Sequence, residues 1–437
     1  MTGDSAAPPL RIIQRMTSIV IIGGGHAAAQ LCSSLAEAGL GARVHLVCGE
    51  AALPYQRPPL SKAYLKSLAE PLQPMRAEAW FASAGITVHR NDPAQSIDRA
   101  AQTVRLQSGT ELAYGQLVLA TGGRARRLPQ LPAGMANVAV LRNAADATVL
   151  RSQLGSATSL TVLGGGFIGL EVAATARALG LTVRVIETAP RLLARSVSAE
   201  LSAHVLATHR AAGTVVDLGA QVGTADFTAE RLLSLQVNGE RCGVDLLLLS
   251  VGAEPDTALA EAAGLALSNG IVVDAAMRSS DPTILAIGDV ANFPVAEAWA
   301  PAGTRLRLES VQNANDQART AAATLQGVDA RYAALPWFWS EQGSLRLQMA
   351  GLMPAADAPG VTRHRRPGAA LAAAAGAAGH PAPAGFSILH YRDDRLVCVE
   401  SVNAAMDHVM SRKLLEAGRH PAPALACDPA VALKTLL

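Results

Sequence analysis

The sequence predicts an α/β protein that contains two β-α-β units and ends in a smaller α+β domain. Residues 19–50 and 160–187 each read as an apolar strand, a glycine-rich turn, a helix and a second strand. Beyond residue 334 the pattern changes to a tryptophan-rich segment, a hairpin at 386–400 and a helix at 405–417. Two similar units and a different C-terminal part predict a chain of several domains.

Composition and charge exclude several classes of function. A chain of 437 residues corresponds to roughly two to four domains, and half of its residues are hydrophobic. The net charge of +2 is too small for a nucleic-acid-binding protein. No apolar run is long enough to span a bilayer, and residues 1–15 lack the apolar block of a signal peptide. We therefore expect a cytoplasmic protein with no nucleic-acid partner and no membrane association.

The cysteines are few and scattered. They are Cys32, Cys48, Cys242, Cys398 and Cys427. No two of them form a CxxC or CxxxxC pair, so the sequence predicts no metal site and no local redox disulfide. A reducing compartment fits this pattern.

The first β-α-β unit carries the fingerprint of a dinucleotide site. Its three key positions are Gly23, Gly25 and Ala28. The first glycine permits a tight turn, the second lets the backbone approach a pyrophosphate, and the third position needs a small residue so that helix and strand can pack. The amides at the start of the helix face the anion. Glu50, at the end of the second strand, can accept hydrogen bonds from ribose hydroxyls.

The second unit repeats this pattern with three glycines. They are Gly164, Gly166 and Gly169. Glu187 takes the ribose position, and because a carboxylate repels a 2′-phosphate, we expect NADH to be preferred over NADPH. Arg184 and Arg191 lie nearby in sequence, and we interpret both as exposed charges rather than as phosphate ligands. The chain therefore predicts two dinucleotide sites.

Residues 55–62 form an unusual segment with the sequence YQRPPLSK. Two prolines fix an extended backbone, which would present Arg57 and Lys62 rigidly. One interpretation is a plain proline-rich turn. The other is a pair of cations held against a flavin diphosphate and ring, where a lysine near N5 would stabilise the reduced, anionic flavin. We expect Glu171, two residues after the second fingerprint, to pair with Lys62 across a domain interface.

Three further segments carry candidate flavin contacts. Asp289 follows a strand and a glycine, where its carboxylate can bind a ribityl hydroxyl, although an aspartate after glycine is commonly only a turn. The helix that begins after Glu309 would direct its positive end towards the flavin pyrimidine, with the amide of Val311 as a donor. Trp339, in the motif WFWSEQ, could line the exposed edge of the flavin, while Phe338 is expected to anchor the core.

On these motifs the chain resembles the FAD-dependent ferredoxin reductases of bacterial oxygenase systems, the putidaredoxin and rhodocoxin reductase type. The likeness covers roughly residues 18–417, and its most specific piece is LPYQRPPLSK at 53–62. The other matching motifs are LATG (119–122), GGGFIGLE (164–171), AIGDV (286–290), RLESVQNA (307–314) and WFWSEQ (337–342).

The resemblance implies a glutathione-reductase-like layout with two Rossmann-like domains. The implied domains are a discontinuous FAD-binding domain at 16–128 and 256–333, an NAD-binding domain at 129–255 and a C-terminal reductase domain at 334–421. The remaining segments would be a disordered leader at 1–15, an insertion rich in alanine, glycine and proline at 355–384, and a loose tail at 422–437.

The resemblance also implies which residues bind the nucleotides. FAD would contact Ala28, Glu50, Lys62, Ala94, Arg142, Asp289 and Val311. Further cofactor contacts are expected at Arg57, Thr121, Gly122, Ile168, Gly252, Glu309 and Trp339. Lys62 and Glu171 are the two residues predicted to act in catalysis.

The implied function is that of an enzyme that transfers hydride from NADH to FAD and then single electrons to a small two-iron ferredoxin. The ferredoxin would feed a haem monooxygenase or a ring-hydroxylating dioxygenase. No protein acid, base or nucleophile is required, because the cofactor carries the chemistry. The protein would be a monomer or a homodimer. Glu341 and Gly343 stand where the family usually has aspartate and an aromatic residue, which leaves the identity of the partner open.

Three alternatives stay open. A flavin disulfide or peroxide reductase needs a cysteine beside the flavin, and the absence of any cysteine between Cys48 and Cys242 disfavours this reading. A reductase of quinones or other small acceptors would use the same cofactor sites. A redox-responsive interaction protein resembling apoptosis-inducing factor shares the fold, and the lack of a targeting leader argues against it.

Overall fold

A computed structural model describes residues 18–132, 134–296, 300–301, 303–355, 358–368 and 385–437. The predicted leader, 1–15, and most of the predicted insertion, 355–384, lie outside the described residues. The chain divides into two compact units. The first unit contains the chain up to Gln56, Leu72–Arg124 and Glu254–Ala334, and the second contains Arg57–Pro71, Ala125–Ala253 and Leu335–Leu437.

The helices of the described residues range from four to 15 residues in length. They are α1 (His26–Glu37), α2 (Ala63–Lys66), α3 (Glu78–Ser83), α4 (Ala144–Ser156), α5 (Phe167–Ala178), α6 (Ala199–Ala211), α7 (Ala258–Ala262), α8 (Val311–Leu325), α9 (Ala405–Glu416) and α10 (Pro423–Ala426). Short 3-10 helices occupy Gly41–Arg43, Pro58–Ser61, Gly288–Val290 and Leu433–Leu436. In the part of the chain that the structure describes, none of the helices is both long and apolar enough to cross a membrane.

The strands are mostly short. They are β1 (Ile19–Ile22), β2 (Val44–Cys48), β3 (Thr87–Arg90), β4 (Ala94–Asp98), β5 (Thr103–Leu106), β6 (Glu111–Ala113), β7 (Gln116–Leu119), β8 (Gly123–Ala125), β9 (Val138–Ala139), β10 (Ser159–Leu163), β11 (Thr182–Ile186), β12 (Val215–Asp217), β13 (Val222–Phe227), β14 (Leu232–Val237), β15 (Glu240–Gly243), β16 (Leu246–Leu249), β17 (Ala253–Pro255), β18 (Ile271–Val272), β19 (Ile284–Ala286), β20 (Ala291–Pro294), β21 (Arg305–Leu306), β22 (Trp337–Gln342), β23 (Leu345–Gly351), β24 (Val361–Pro367), β25 (Phe386–Arg392) and β26 (Arg395–Val402).

The first unit is built on a parallel sheet with the strand order β19-β7-β1-β2-β3. Its central strand β1 is buried at all four positions, as expected of a parallel strand that is covered on both faces. Helices α1 and α8 pack against each other. Parallel strands end at a common edge, so the turn after β1, the end of β2 and the segment after β19 gather there. Two small sheets, β4-β5-β6 and β18-β20-β21, complete the unit.

The second unit contains another parallel sheet, with the order β12-β11-β10-β16-β9, and an antiparallel sheet, β13-β14-β15. Its core combines residues of both sheets, among them Leu163, Ile186, Leu235 and Leu247. Strand β10, helix α5 and strand β11 repeat the β-α-β arrangement of the first unit. The two predicted Rossmann-like units and the α/β class are therefore confirmed.

The C-terminal part of the second unit is an antiparallel sheet with the order β22-β23-β26-β25-β24. The predicted hairpin is present as β25 and β26, and its turn residues Asp393 and Asp394 adopt positive φ angles of 48° and 62°. Helix α9 packs on β23 and β26. This part is therefore the predicted α+β element.

The tail, residues 422–437, is packed, and the prediction of a loose segment was wrong. Arg366 is only 4% exposed and donates hydrogen bonds to the carbonyl oxygens of Ala426, Asp428 and Val431 over 2.9, 2.7 and 3.0 Å. Leu433 is also buried. A buried arginine distant in sequence fixes these residues, and composition alone does not reveal such a partner.

Candidate nucleotide sites and the Lys62–Glu171 pair

The turn after β1 has the geometry that its glycines predict. Gly23 has a φ of +128°, and a Cβ at this position would overlap the carbonyl oxygen of Ala120. A Cβ on Gly25 would instead meet no atom within 4 Å, so its backbone faces open space. Ala28 is fully buried in α1, where only a small side chain is needed. The turn is thus closed on its sheet side and open where a ligand would approach.

Glu50 lies just past the end of β2 with its carboxylate held in place. The hydroxyl of Tyr55 donates to Glu50 Oε2 over 2.6 Å, and the amide of Asn91 donates to the Glu50 carbonyl over 3.1 Å. Tyr55 is itself buried. Because the Tyr55 bond holds the carboxylate and the Asn91 bond holds the backbone, the carboxylate can offer acceptors to a ribose at a defined position.

Asp289 lies in a 3-10 turn directly after β19. The preceding Gly288 has a φ of +77°, its amide donates to Gln317 Oε1 over 2.7 Å, and a Cβ there would lie 3.1 Å from the Cβ of Ala27. The turn therefore packs closely on α1. This contact places Asp289 at the edge of the sheet where the first turn and Glu50 also lie.

Helix α8 begins at Val311, and the side chain of Ser310 caps it by accepting a bond from the Asn313 amide over 3.1 Å. The first amides of a helix have no intrahelical acceptor and carry partial positive charge. Val311 therefore has the position expected of an anion or flavin donor. Glu309 is exposed and forms an ion pair with Arg307 at 2.7 Å.

The other first-unit candidates support backbone turns. Thr121 Oγ1 donates to the Asp256 carbonyl over 2.7 Å. Gly122 has a positive φ of 69° and accepts a bond from the Asp256 amide at its carbonyl oxygen. Ala94 begins β4 and is half-buried.

The turn after β10 reproduces the first with tighter packing. Gly164 has a φ of +110°, and a Cβ there would overlap the carbonyl oxygen of Ser250. Gly166 faces open space, as Gly25 does. A Cβ on Gly169 would lie 2.6 Å from the Gly164 oxygen and 3.0 Å from Ser250 Oγ. Gly164 and Gly169 therefore leave no space for a side chain, whereas Gly166 is open on its Cβ side.

Glu187 follows β11 and folds back onto the turn. Its Oε2 accepts from the Gly165 amide over 2.6 Å, and its Oε1 accepts from the Ala189 amide over 2.7 Å. Arg184 pairs with Asp217 at 2.6 Å, and this hydrogen bond raises the pKa of Arg184. The guanidinium of Arg191 donates to backbone carbonyls. Both arginines thus have partners other than a ribose.

Two other residues of the second unit, predicted to bind the nucleotide, lie on its surface. Ile168 is an apolar side chain with 45% of its surface exposed, one residue past the start of α5. Gly252 follows β16 with a φ of +103°. Both leave room for a ligand beside the turn.

The predicted ion pair between Lys62 and Glu171 is present, with Nζ and Oε2 2.7 Å apart. Lys62 Nζ also donates to the carbonyl of Pro58 over 3.1 Å, and the Glu171 residue is only 4% exposed. Both residues belong to the second compact unit. The backbone at Pro58–Ser61 is a 3-10 helix, not the extended segment that the two prolines predict.

The side chain of Arg57 contacts the backbone of Arg142. Arg57 Nη1 donates to the Arg142 carbonyl over 3.0 Å, and the Arg142 amide donates to Asp146 Oδ2 over 2.9 Å. Asp146 also forms the capping box of α4 with Asn143. The two arginines, both assigned to the flavin from sequence, are therefore neighbours at the start of α4.

Trp339 lies in β22 and stacks on Trp337, with 5.6 Å between ring centroids. Phe338 packs edge to face on Phe167, with centroids 4.4 Å apart, and is only partly buried. Successive strand residues face opposite sides, so Trp339 and Phe338 point to different surfaces.

Two family models match the chain. The pyridine nucleotide-disulphide oxidoreductase model covers residues 17–318, and the reductase C-terminal model covers residues 337–437. The chain belongs to the pyridine nucleotide-disulphide oxidoreductase family.

Within this family the chain is similar to ferredoxin reductases. It is 41% identical to rhodocoxin reductase of Rhodococcus erythropolis, over 95% of this chain and 93% of that protein. A ferredoxin reductase of Rhodopseudomonas palustris that serves the CYP199A2 system has a TM-score of 0.87 at 40% identity, over 96% of this chain and 99% of that chain. The reductase in a covalent complex with putidaredoxin has a TM-score of 0.85 at 35% identity, over 96% and 97%. The resemblance predicted from the motifs is confirmed.

The cysteines all lie in the part of the chain that the structure describes, and no disulfide joins them there. All five cysteines are free. Cys48, at the end of β2, is fully buried, and burial raises the pKa of its thiol to about 12. Burial also raises the pKa of Cys32. Such thiols are poor nucleophiles because the thiolate is the reactive form.

Sequence reasoning missed two serines that hold Glu171 in this oxidoreductase. Ser61 Oγ donates to Oε2 and Ser340 Oγ donates to Oε1 over 2.7 Å, while the Glu341 amide lies 3.4 Å from Oε1. Both serines lie inside motifs that were singled out, YQRPPLSK and WFWSEQ. Each serine follows an apolar or aromatic residue, Leu60 or Trp339, and this is the signal that could have found them.

Proposed function

We propose that the protein is an FAD-containing NADH:ferredoxin reductase, which delivers electrons singly to a small two-iron ferredoxin that feeds a haem monooxygenase or a ring-hydroxylating dioxygenase. The observation that carries the proposal is one chain with two dinucleotide turns, each followed by a fixed carboxylate, and a lysine–glutamate pair. Its relatives are named as reductases of rhodocoxin and putidaredoxin.

The first unit fits the ADP part of FAD. The open side of Gly25 lets the backbone approach a pyrophosphate, and the start of α1 supplies amides for it. Glu50, held by Tyr55, would accept hydrogen bonds from the ribose. Asp289 would bind the ribityl chain, and the amide of Val311 would face the pyrimidine.

The catalytic role of the protein is electrostatic. When bound, FAD supplies the chemistry that joins a two-electron donor to a one-electron acceptor. Lys62 would stabilise the negative charge that FAD carries once reduced, and Glu171 holds Lys62 in place. Arg57 and Arg142 add positive charge for the diphosphate. No residue has to act as a nucleophile, in agreement with the buried thiols of Cys32 and Cys48.

The second unit is proposed to bind NADH in preference to NADPH. The carboxylate of Glu187 lies beside the open turn at Gly166 and would repel a 2′-phosphate. Neither Arg184 nor Arg191 is available to neutralise that phosphate, because one pairs with Asp217 and the other donates to carbonyls. Ile168 would cover the nicotinamide side of the site.

The remaining assignments are part of the same proposal. The FAD domain would comprise 16–128 and 256–333, the NAD domain 129–255 and the reductase domain 334–421. Ala94, Thr121, Gly122, Gly252 and Glu309 would line the nucleotide sites, and Trp339 would lie at the flavin edge. A monomer or homodimer in the cytoplasm, where NADH is available and thiols stay reduced, is proposed on the same basis.

The proposal is tested with the purified protein and a panel of ferredoxins. We expect a yellow protein that releases FAD on denaturation, is bleached by NADH faster than by NADPH, and reduces cytochrome c only when a ferredoxin is added. A colourless protein that takes up no FAD would contradict the cofactor assignment. Reduction of quinones that is faster than that of every ferredoxin would contradict the acceptor assignment.

A further inference from the structure

A row of buried polar side chains leads away from Glu171. Ser340 Oγ lies 2.7 Å from Glu171 Oε1. Gln342 Nε2 lies 3.2 Å from Ser340 Oγ, and His209 Nε2 lies 3.0 Å from Gln342 Oε1. All four side chains are buried. Buried polar groups need partners within the protein, so each member depends on the next.

The hydrogen bonds of this row all point the same way. Burial lowers the pKa of His209, so its ring is neutral near pH 7, and because Gln342 Oε1 only accepts, His209 Nε2 carries the hydrogen. The Gln342 amide nitrogen donates to Ser340 Oγ. The single hydroxyl hydrogen of Ser340 is then left for Glu171. Bonds aligned in this sense strengthen one another in a low-dielectric interior.

The row joins three elements of the second unit at one carboxylate. Glu171 lies on α5, His209 on α6, and Ser340 and Gln342 on β22. Ser340 and Gln342 are two residues apart and share one face of the strand. Lys62 donates to the other carboxylate oxygen, Oε2.

We propose that Ser340, oriented by Gln342 and His209, is a positioning residue that fixes the Glu171 carboxylate and thereby the Lys62 ammonium group. This inference rests on the proposed function, in which Lys62 stabilises the reduced flavin. Ser340 acts only through Glu171.

The burial of Lys62 and Glu171 explains why Ser340 would determine the position of the Lys62 ammonium group. The side chain of Lys62 is 19% exposed and that of Glu171 is 5% exposed, so the carboxylate is the fixed partner and the ammonium follows it. Without the Ser340 hydroxyl, Oε1 keeps only the long contact with the Glu341 amide. The carboxylate, then held by Ser61 and Lys62 at Oε2, would be free to rotate about that oxygen and shift the ammonium group.

The test compares Ser340→Ala with Ser387→Ala in the holoenzyme. Ser387 is a matched control, because it is buried in the same antiparallel sheet and its hydroxyl bonds only to Ser401, at 2.8 Å. The measurements are the flavin midpoint potential, the stopped-flow rate of flavin reduction by NADH, the ferredoxin KM and the thermal midpoint.

We expect Ser340→Ala to slow flavin reduction about tenfold, the factor for one hydrogen bond to a charged group. Its flavin potential should shift to a more negative value while the ferredoxin KM stays unchanged. Ser387→Ala should lower the thermal midpoint to a similar extent and leave the rate and potential unchanged. Equal rates and potentials for the two variants would overturn the inference.

Two further variants, Ser340→Thr and Gln342→Met, keep the test from depending on Ser340→Ala alone. Threonine keeps the hydroxyl and should restore the rate and the potential, whereas a folded threonine variant as slow as the alanine variant would overturn the proposal. Gln342→Met removes the donor to Ser340 and should slow reduction less than Ser340→Ala does.

Wild-type protein that NADH does not bleach would contradict the proposed function. Normal bleaching of the wild type, with no difference between Ser340→Ala and Ser387→Ala, would contradict only this inference.

Discussion

The two glycine-rich turns have the same sequence pattern but differ at their third position. Ala28 is fully buried in the first unit and fits there. In the second unit, Gly169 leaves no space, because a Cβ would lie 2.6 Å from the Gly164 oxygen. Helix α5 therefore lies closer to its turn than α1 does. The fingerprint accepts alanine only where the helix leaves room for a methyl group.

The turns also differ in what holds the carboxylate and in what the helix carries. A side chain, Tyr55, holds Glu50, whereas backbone amides hold Glu187. Glu171, five residues past the second glycine of its turn, corresponds to Gln30 in the first unit, and Gln30 bonds only within its own helix, to Ser34. The second helix thus carries a carboxylate, paired with Lys62, at the position where the first helix carries an amide.

The largest effects are expected from Gly23→Ala and Gly164→Ala. Each adds a Cβ that overlaps a carbonyl oxygen at a positive φ, which costs more than about 2 kcal/mol. Gly23→Ala should give protein without FAD. Gly164→Ala should keep FAD but lose its bleaching by NADH. Flavin content and stopped-flow reduction measure this difference, and loss of FAD in both variants would contradict separate roles for the two turns.

Glu171→Gln gives the second helix the amide that the first helix has, and Lys62→Ala removes the cation. Each change removes part of a preorganised charge arrangement, and we expect flavin reduction to slow by about 100-fold in Lys62→Ala and less in Glu171→Gln. NADH affinity should stay nearly constant. Stopped-flow rates over a range of NADH concentrations separate the two quantities. Unchanged rates in both variants would exclude a catalytic role for the pair.

Exchanging the third positions tests the packing difference directly. Gly169→Ala should destabilise the second unit by about 1–3 kcal/mol, because the Cβ meets backbone atoms that cannot yield. Ala28→Gly should cost only about 1 kcal/mol of helix propensity. Thermal midpoints and NADH KM values provide the measurement. Equal destabilisation by the two variants would mean that the helices stand equally close to their turns.

The smallest effect is expected from Tyr55→Phe. It removes the hydroxyl that donates to Glu50 and should weaken FAD binding by about 1 kcal/mol, close to a fivefold change in dissociation constant. NADH binding should not change, because the carboxylate of Glu187 is held by the amides of Gly165 and Ala189 rather than by Tyr55. Fluorescence titration of the apoprotein with FAD measures the effect. An equal loss of FAD affinity and NADH affinity would argue against independent sites.

Much of the site could be predicted from the sequence because its requirements are local. The glycines at 23 and 164 need a positive φ, and Glu50 and Glu187 follow their strands directly. These features depend on neighbouring residues, so the two turns, the acids and Asp289 could be identified in a single chain.

Apart from the Lys62–Glu171 pair, the contacts between distant residues could not be predicted in this way. Ser340 donates to a carboxylate 169 residues away, Ser61 donates to the same group from 110 residues away, and Arg366 fixes the tail. Composition assigned a loose tail to residues that a buried guanidinium holds in place.

The sequence by itself determined the two β-α-β units, their glycine turns and the acids after their strands, because backbone conformation and strand periodicity depend on residues that are near in the chain. Only the tertiary structure decided that segment 57–71 joins the second unit and that Ser340, Gln342 and His209 form a row ending at Glu171. Directional hydrogen bonds between separate elements require the folded geometry, which no local pattern contains.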